Sequence, residues 1–506
     1  MSDFTDLIDL AAEKLGGTVL WANDDFFAEK ENLLKPEKPV FIEGKYTDRG
    51  KWMDGWESRR RRVPGHDASI IRLGLPGIVR GVVIDTAFFR GNYPDHASIE
   101  ACAARADADV ETLMSDATRW VEILPKSALR GDSRNLFTVE APFRATHLRF
   151  HIYPDGGVAR LRVHGDVLPD WRRIGRGGQS IDLAAIENGA LALACSDMFF
   201  GERQNMLMPG RAANMGDGWE TRRRRGPGYD WSLVRLAATG MLDHLEIDTN
   251  HFKGNYPDTC SVEGILAEGA SVDELAPGAR PFVEILPRTK LQAHTRHLFD
   301  EELRARGPFS HVRINVYPDG GISRLRVWGS VTHEGGAAAR VRRLDALFPH
   351  EAEAELLACC GASAWARRMT AARPFGTPEA LAFAADQVWA EMDEASIHEA
   401  FRAHPRIGER KAEVEHGAAA RAWAEGEQAG ARAASAETLA ELAAANRAYE
   451  ERFGHVYLVC ATGKTADEML AILRSRMDNS PAEELRVAAE EQRKITRLRL
   501  AKMLSP

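Results

Sequence analysis

The sequence predicts a multidomain chain, two tandem all-β sandwiches of the jelly-roll kind followed by an all-α helical domain, and three observations carry that expectation. The first two thirds of the 506 residues repeat themselves at a shift of about 163 residues. Within each copy, apolar and polar residues alternate in short segments punctuated by glycine, proline and aspartate, the pattern of half-buried strands joined by tight turns. After Val331 the alternation gives way to alanine, glutamate, leucine and arginine at helical spacing.

The repeat is read directly. GWESRRRRVPGHD, Gly55 to Asp67, returns as GWETRRRRGPGYD, Gly218 to Asp230; IDTAFFRGNYPD from Ile84 returns as IDTNHFKGNYPD from Ile247. WVEILP from Trp120 and FVEILP from Phe282 are each followed by YPDGG, at Tyr153 and Tyr317. A period this long is a domain and not a solenoid unit, so the expected domains are 17–170 and 186–332. SIIRLGLPG, GVVIDTAFF, THLRFHIYPDGG and ARLRVHGDV supply the strands of the first, with SLVRLAATG, HLEIDTNHF, SHVRINVYPDGG and SRLRVWGSV as their partners in the second. No helix-length segments separate them, which argues against a parallel α/β sheet. The small, polar and basic stretch 333–343 reads as a linker. Residues 344–506 read as the helical domain, with start signals at Thr377 before Pro378 and at Ser435 before an acidic first turn.

Bulk properties bound the function. A formal charge of −8 with interspersed signs offers no general nucleic-acid or membrane surface. No window has the length of a membrane span, and the N-terminus lacks a basic region followed by an apolar run. Six scattered cysteines without a CxxC pair suit reduced thiols, and the expected compartment is the cytoplasm.

The polar residues that recur in both copies are the candidates for chemistry. They include Glu57 and Glu220, the arginine runs with Arg60 and Arg223, Asp67 and Asp230, and Glu100 and Glu263. Asp85 and Asp248, Asp95 and Asp258, and Glu122 and Glu284 are the candidate hydrolytic carboxylates. A run of four arginines on a strand alternates faces, so half of it must point to an interior or a cleft, where arginine requires a carboxylate. One arginine of the run can instead clamp a substrate carboxylate. The GNYPD turn can present Asn92, Tyr93, Asn255 and Tyr256 to a ligand. The copies differ at histidines: His66 corresponds to Tyr229, Phe88 to His251, His96 to Thr259, His151 to Asn315 and His164 to Trp328. A duplicated scaffold that lost symmetric histidines either works in one copy or composes its site from both. No HxH or HExxH spacing marks a tight zinc site, so a metal would have to be held weakly by oxygen ligands.

These doubled segments, in the same order over residues of about 17 to 332, resemble the allantoicase family. The resemblance implies two jelly rolls per chain, hydrolysis of allantoate to ureidoglycolate and urea, and Mn2+ or Mg2+ as the candidate metals. The substrate suits the residues: one carboxylate for an arginine, and ureido N–H groups for Asp, Glu, Asn and Tyr acceptors.

In the helical part, AHPRIGE holds His404 and Pro405, AEGEQAG holds Glu427 and Gln428, and KITRLRLAKML holds Arg497 and Arg499. With FGHVYLVCATGKTADEML from Phe453, this ordered set resembles the OHCU decarboxylase family over about Leu344 to Leu504. The resemblance implies cofactor-free decarboxylation of a carboxylated ureidoimidazoline to allantoin. By it, His404 is the acid/base group, Glu427 its partner, Arg499 the substrate-binding cation, and Pro405 and Gln428 substrate contacts; the backbone from Val456 to Val459 lines the pocket. Ala424 stands where many members have serine, which removes one pocket hydrogen bond. The two resemblances converge on ureide catabolism one ring-opening step apart, with small-molecule ureides as partners and a homo-oligomer as the expected assembly. The alternative is that one module is inactive and serves ligand binding or oligomerisation.

Overall fold

In the first β unit, one long strand organises everything else. The computed structural model describes residues 4–174, 178–404, 406 and 435–505, and its contacts divide the chain into two compact units, one ending at Gly336 and the other running Ala337–Ser505. The first copy contributes twelve strands: β1 (Ile8–Asp9), β2 (Thr18–Ala22), β3 (Tyr46–Thr47), β4 (Gly50–Lys51), β5 (Trp56–Glu57), β6 (Asp67–Asp85), β7 (His96–Cys102), β8 (Val121–Ala128), β9 (Arg134–Thr138), β10 (Arg144–Tyr153), β11 (Gly157–Val158) and β12 (Arg160–Val167). The sequence suggested two strands with a turn at LGLPG. Instead β6 runs unbroken through Pro76 and is shared between the two layers of the sandwich, the device by which strands turn sheet corners. Its first half pairs with β2 and β10, extended by β7 and β8; its second half pairs with β12 and β9, with β1 beyond β12. The local break in register with β10 and the approach of Gly77 to the Asp166 carbonyl allow the bend.

The second copy repeats the topology strand for strand: β13 (Ile181–Asp182), β14 (Leu191–Cys195), β15 (Trp219–Glu220), β16 (Asp230–Asp248), β17 (Thr259–Ile265), β18 (Val283–Lys290), β19 (Arg296–Phe299), β20 (Phe309–Tyr317), β21 (Gly321–Ile322) and β22 (Arg324–Val331). The hairpin β3–β4 has no counterpart there. Both sandwiches begin earlier than the boundaries at 17 and 186, because β1 pairs with β12 and β13 with β22. Duplication extends to backbone torsions: Phe88 and His251 have φ of 69° and 70°, Asp132 and His294 have φ of 50° and 49°, a region non-glycine residues seldom enter. Between the copies, Lys14 Nζ lies 2.9 Å from Asp217 and Arg203 3.6 Å from Asp6.

Residues 333–343 are not a linker. They form helix α2 (His333–Asp345), since its alanines are strong helix formers and Ala339, Val341 and Leu344 bury one face. The short helix α1 (Val110–Met114) belongs to the first sandwich. The rest of the second unit is α3 (Pro349–Cys360), α4 (Ser363–Ala371), α5 (Pro378–Ala390), α6 (Glu394–Arg402), α7 (Ala436–Phe453), α8 (Ala466–Arg476) and α9 (Pro481–Leu504). Thr377 and Ser435 cap α5 and α7 by accepting the Ala380 and Thr438 N–H groups, as their positions predicted. Among the described residues no helix is long and apolar enough to cross a membrane.

A buried ion pair fixes the HVYLV segment between α7 and α8. Arg476 Nε donates to Glu484 Oε1 at 2.9 Å and its Nη1 to the Leu458 carbonyl at 2.7 Å, while Tyr449 donates its hydroxyl proton to the same carboxylate. Burial and that carboxylate push the Tyr449 phenol upward. Glu484→Gln should destabilise the helical unit by about 3–5 kcal/mol, because it leaves Arg476 buried without its counter-charge; denaturant titration followed by helical circular dichroism measures it.

Candidate active sites

The arginine run does not lie on a strand. β5 ends at Glu57 and the run occupies the loop to β6, yet it still alternates, because carboxylates from neighbouring loops hold every second residue. Arg59 Nε donates to Asp24 at 2.7 Å, and Arg61 Nη1 to Asp67 Oδ1 at 2.6 Å. The Arg61 backbone N–H donates to Asp155 at 2.8 Å. The second copy is the same: Arg222 with Asp197 at 3.0 Å, Arg224 with Asp230, and the Arg224 N–H with Asp319 at 2.8 Å. Arg60, Arg62, Arg223 and Arg225 are exposed, and none has a hydrogen-bond or ion-pair partner among the described residues. The expectation of paired and unpaired arginines therefore holds, with unpaired guanidiniums facing solvent and not an interior.

Beside this loop, Asn92 Nδ2 donates to Glu57 Oε1 at 2.7 Å, and Asn255 makes the same bond to Glu220. Burial raises the Glu57 carboxyl above its ordinary range, with the Asn92 bond opposing it. The GNYPD turn is locked in place: the Asn92 carbonyl accepts the Gly157 N–H at 2.7 Å, and Tyr93 packs where a side chain on Gly131 would sit. Tyr93 and Tyr256 are half-buried. The six candidate carboxylates are not brought together. Asp85 and Asp248 accept the Ala87 and Asn250 N–H groups at 2.8 Å, a local turn role. Asp95 and Glu122 are exposed, and Asp258 and Glu284 make ion pairs with Lys290 and Arg304.

A second polar cluster, on the face of β10 and β7 turned away from the sandwich core, differs between copies. In copy one His66 Nε2 lies 2.9 Å from His151 Nδ1, and His151 Nε2 lies 2.8 Å from Glu100 Oε2. Arg149 Nε donates to the same carboxylate oxygen at 2.7 Å, and the Ser98 and Tyr153 hydroxyls are 3.0 Å apart. Burial and the neighbouring ring hold His66 below the ordinary imidazole range; burial also lowers His151, against the pull of Glu100. Hydrogen bonds from Arg149 and His151 outweigh burial at Glu100 and lower its carboxyl. In copy two, Asn315 and Arg313 bond Glu263 at 2.9 and 2.8 Å, and Tyr229 replaces His66. There Arg313 reaches the Leu275 carbonyl and lies over the Phe282 ring, and β20 is buried on both faces from Phe309 to Val316. These histidines were visible in the sequence as differences between copies, but their contact with Glu100 was not.

In the helical unit His404 follows α6, with a buried Nε2 that has no hydrogen-bond partner in the described structure. Burial, reinforced by the nearby Arg499 guanidinium and opposed by Gln492, pushes its imidazole down to about 3. Arg499 is buried on α9, whereas Arg497 points outward and pairs with Asp386. The two arginines are thus separated by helical phase. Gln492, two turns earlier than Arg499 on α9, donates to the Cys360 carbonyl at 3.2 Å. Nearby, a cavity of about 270 Å3 is lined by His398, Phe401, Arg402, Glu450, Gly454, His455 and Val456. Of the segment expected to line the pocket, Val456 is in this lining, while Tyr457 to Val459 are buried. Pro405, Ala424, Glu427 and Gln428 lie outside the described residues.

Among the described residues, no three His, Cys, Asp or Glu side chains converge to hold a metal ion. The described residues therefore do not fit a divalent Mn2+ or Mg2+ site.

Two β-sandwiches of one design and a helical unit with a buried His and Arg describe a hydrolase fused to a decarboxylase. The allantoicase repeat model matches residues 8–168 and 181–332, and the OHCU decarboxylase model matches 345–501. The chain belongs to the allantoicase family and carries an OHCU decarboxylase domain behind its two repeats. A probable allantoicase of Pseudomonas fluorescens strain SBW25 is 49% identical over 329 residues, 65% of this chain and 98% of that one. A probable allantoicase 2 of Burkholderia pseudomallei strain K96243 is 50% identical over 64% of this chain and 95% of its own. The crystal structure of allantoicase from Saccharomyces cerevisiae is 37% identical, covers 64% of this chain and 92% of its own, and superposes with a TM-score of 0.53.

The paired and unpaired arginines should separate by stability. Arg61→Ala, which strips buried Asp67 of its cation, should cost about 1.5–3 kcal/mol. Arg60→Ala should stay within about 0.5 kcal/mol of the parent, both read by denaturant unfolding of the full chain.

Proposed function

We propose that the β unit hydrolyses allantoate to ureidoglycolate and urea, and that the helical unit decarboxylates a carboxylated ureidoimidazoline to allantoin. The observation that carries the first reading is the unpartnered Arg60, and its counterpart Arg223, in the loops that follow Glu57 and Glu220 in a chain of the allantoicase family. A guanidinium without an internal carboxylate is the group that accepts a substrate carboxylate in bidentate fashion. Asn92 or Asn255 then offers its amide to a ureido arm, and Tyr93 or Tyr256 bounds the pocket. For the second activity, a desolvated neutral His404 beside Arg499 supports a site where the cation binds the acidic substrate and the imidazole moves a proton. Glu427, Gln428 and Pro405 complete that site in this reading. The chain works without a membrane partner, in the cytoplasm, as an oligomer of identical copies.

The test is urea released from allantoate by the full-length chain, with and without EDTA and with Mn2+ or Mg2+ restored. Release that ignores EDTA is expected; release lost to EDTA and restored by metal would return the search to a metal site. The double variant Arg60→Lys with Arg223→Lys should raise KM for allantoate about tenfold, the cost of one lost bidentate bond at about 1.4 kcal/mol, with the thermal midpoint unchanged. His404→Ala should abolish decarboxylation and leave urea release intact, and joint loss of both would refute independent modules.

A further inference from the structure

With both imidazoles neutral, as burial favours, the histidine pair of copy one has one arrangement of protons that satisfies its neighbours. A carboxylate accepts and cannot donate, so the 2.8 Å contact with Glu100 places the proton on His151 Nε2. Neutral His151 is then bare at Nδ1, and the 2.9 Å contact requires His66 Nε2 to donate to it. The proton of neutral His66 is thereby spent, and His66 Nδ1 is left with an open lone pair on an exposed residue. This atom has no hydrogen-bond partner among the described residues. The chain Glu100–His151–His66 thus fixes one tautomer and delivers a basic nitrogen to the surface, six residues beyond the unpartnered Arg60 in the same loop.

The loop itself is held so that this geometry persists. Arg61 crosses close over Gly65, whose φ of 136° excludes a side chain, and ends on Asp67 at the start of β6. The groups facing His66 are His151 on β10, Tyr153 with its ring centroid 4.5 Å away, Arg61 and Asp67 from its own loop, and Lys126 on β8, which lies over the Tyr153 ring. Copy two cannot do the same. Tyr229 and Asn315 replace both imidazoles, and Asn315 donates its amide to Glu263.

We propose that His66 is the base of the hydrolase, that His151 and Glu100 are its positioning residues, and that copy one alone turns over. The inference rests on the reading of the β unit as an allantoate hydrolase. In the step, a water oxygen bonds to the central carbon of allantoate as the bond from that carbon to one ureido nitrogen breaks. His66 Nδ1 takes the proton the water loses and returns it to the departing ureido nitrogen, so urea leaves neutral and the imidazole is restored. The carboxylate stays on the Arg60 guanidinium throughout.

The experiment compares full-length His66→Gln, His151→Asn, Tyr229→Phe and the parent for urea release across pH, with thermal melting as the control for folding. His66→Gln should lower kcat about 10²- to 10⁴-fold with KM within about twofold of the parent and the melting midpoint unchanged, since the ring is exposed. The parent's kcat should fall on an acid limb that begins below the ordinary imidazole range, where Nδ1 becomes protonated, and that limb should vanish from the residual activity of His66→Gln. His151→Asn should lower kcat and displace the limb, while Tyr229→Phe should leave both unchanged. A kcat for His66→Gln within about threefold of the parent overturns the assignment of the base. An equal loss from Tyr229→Phe overturns the restriction to copy one. A parent that releases no urea from allantoate sinks the reading of the substrate and takes the base with it, whereas a parent that is active with an unaffected His66→Gln sinks only the inference.

Discussion

The ion pair between Arg61 and Asp67, repeated as Arg224 and Asp230, is the constraint on which the rest of each sandwich's working end depends. Asp67 is almost wholly buried and opens β6, so its charge must be met there, and a guanidinium from the preceding loop meets it. Asn23, just past the end of β2, adds a bond of 2.7 Å. That single anchorage decides where the neighbours of Arg61 go. Residues 60 and 62 are left unpaired where Asp24 and Asp67 hold 59 and 61, and His66 is brought over β10 because the chain must return to Asp67.

The two copies show what a scaffold retains after its chemistry has been divided. The anchor, the Glu–Asn pair and even the left-handed residues at 88 and 251 survive in both. What changes is the outer face of one sheet. In copy one Arg149 and His151 keep some exposure, and in copy two the equivalent Arg313 and Asn315 are sealed under Phe282 and the Leu275 loop. An amide in place of an imidazole satisfies the carboxylate without titrating, so the second copy gains a closed face and loses a base.

Much of the architecture could be read from the residues, because it rests on local pattern. Strand alternation, helix caps at Thr377 and Ser435 and the duplicated order are all short-range signals. The misreadings arose where distant partners decide conformation. The arginine run looks like a strand until Asp24, Asp67 and Asp155 claim it, and LGLPG looks like a turn until the Leu10 carbonyl takes the Gly74 and Leu75 N–H groups and the Leu168 N–H reaches the Pro76 carbonyl, which keeps β6 extended. The stretch 333–343 looks like a linker until α3 offers Glu355 to Arg343 at 2.9 Å. The pairing of His66 with His151 spans 85 residues and depends on the register of β10 against β6, which no motif encodes.

The sharing of β6 between both layers has a kinetic consequence. Its partners extend from Thr18 in β2 to Val167 in β12, so neither layer can be completed from neighbouring sequence. A strand that belongs to two sheets makes them one cooperative unit, and the entropy of closing loops of this length must be met before either is rewarded. During synthesis, the first sandwich therefore has to wait for nearly its whole sequence to emerge before it can close, whereas the helical unit, with caps and contacts between adjacent helices, can begin to form turn by turn.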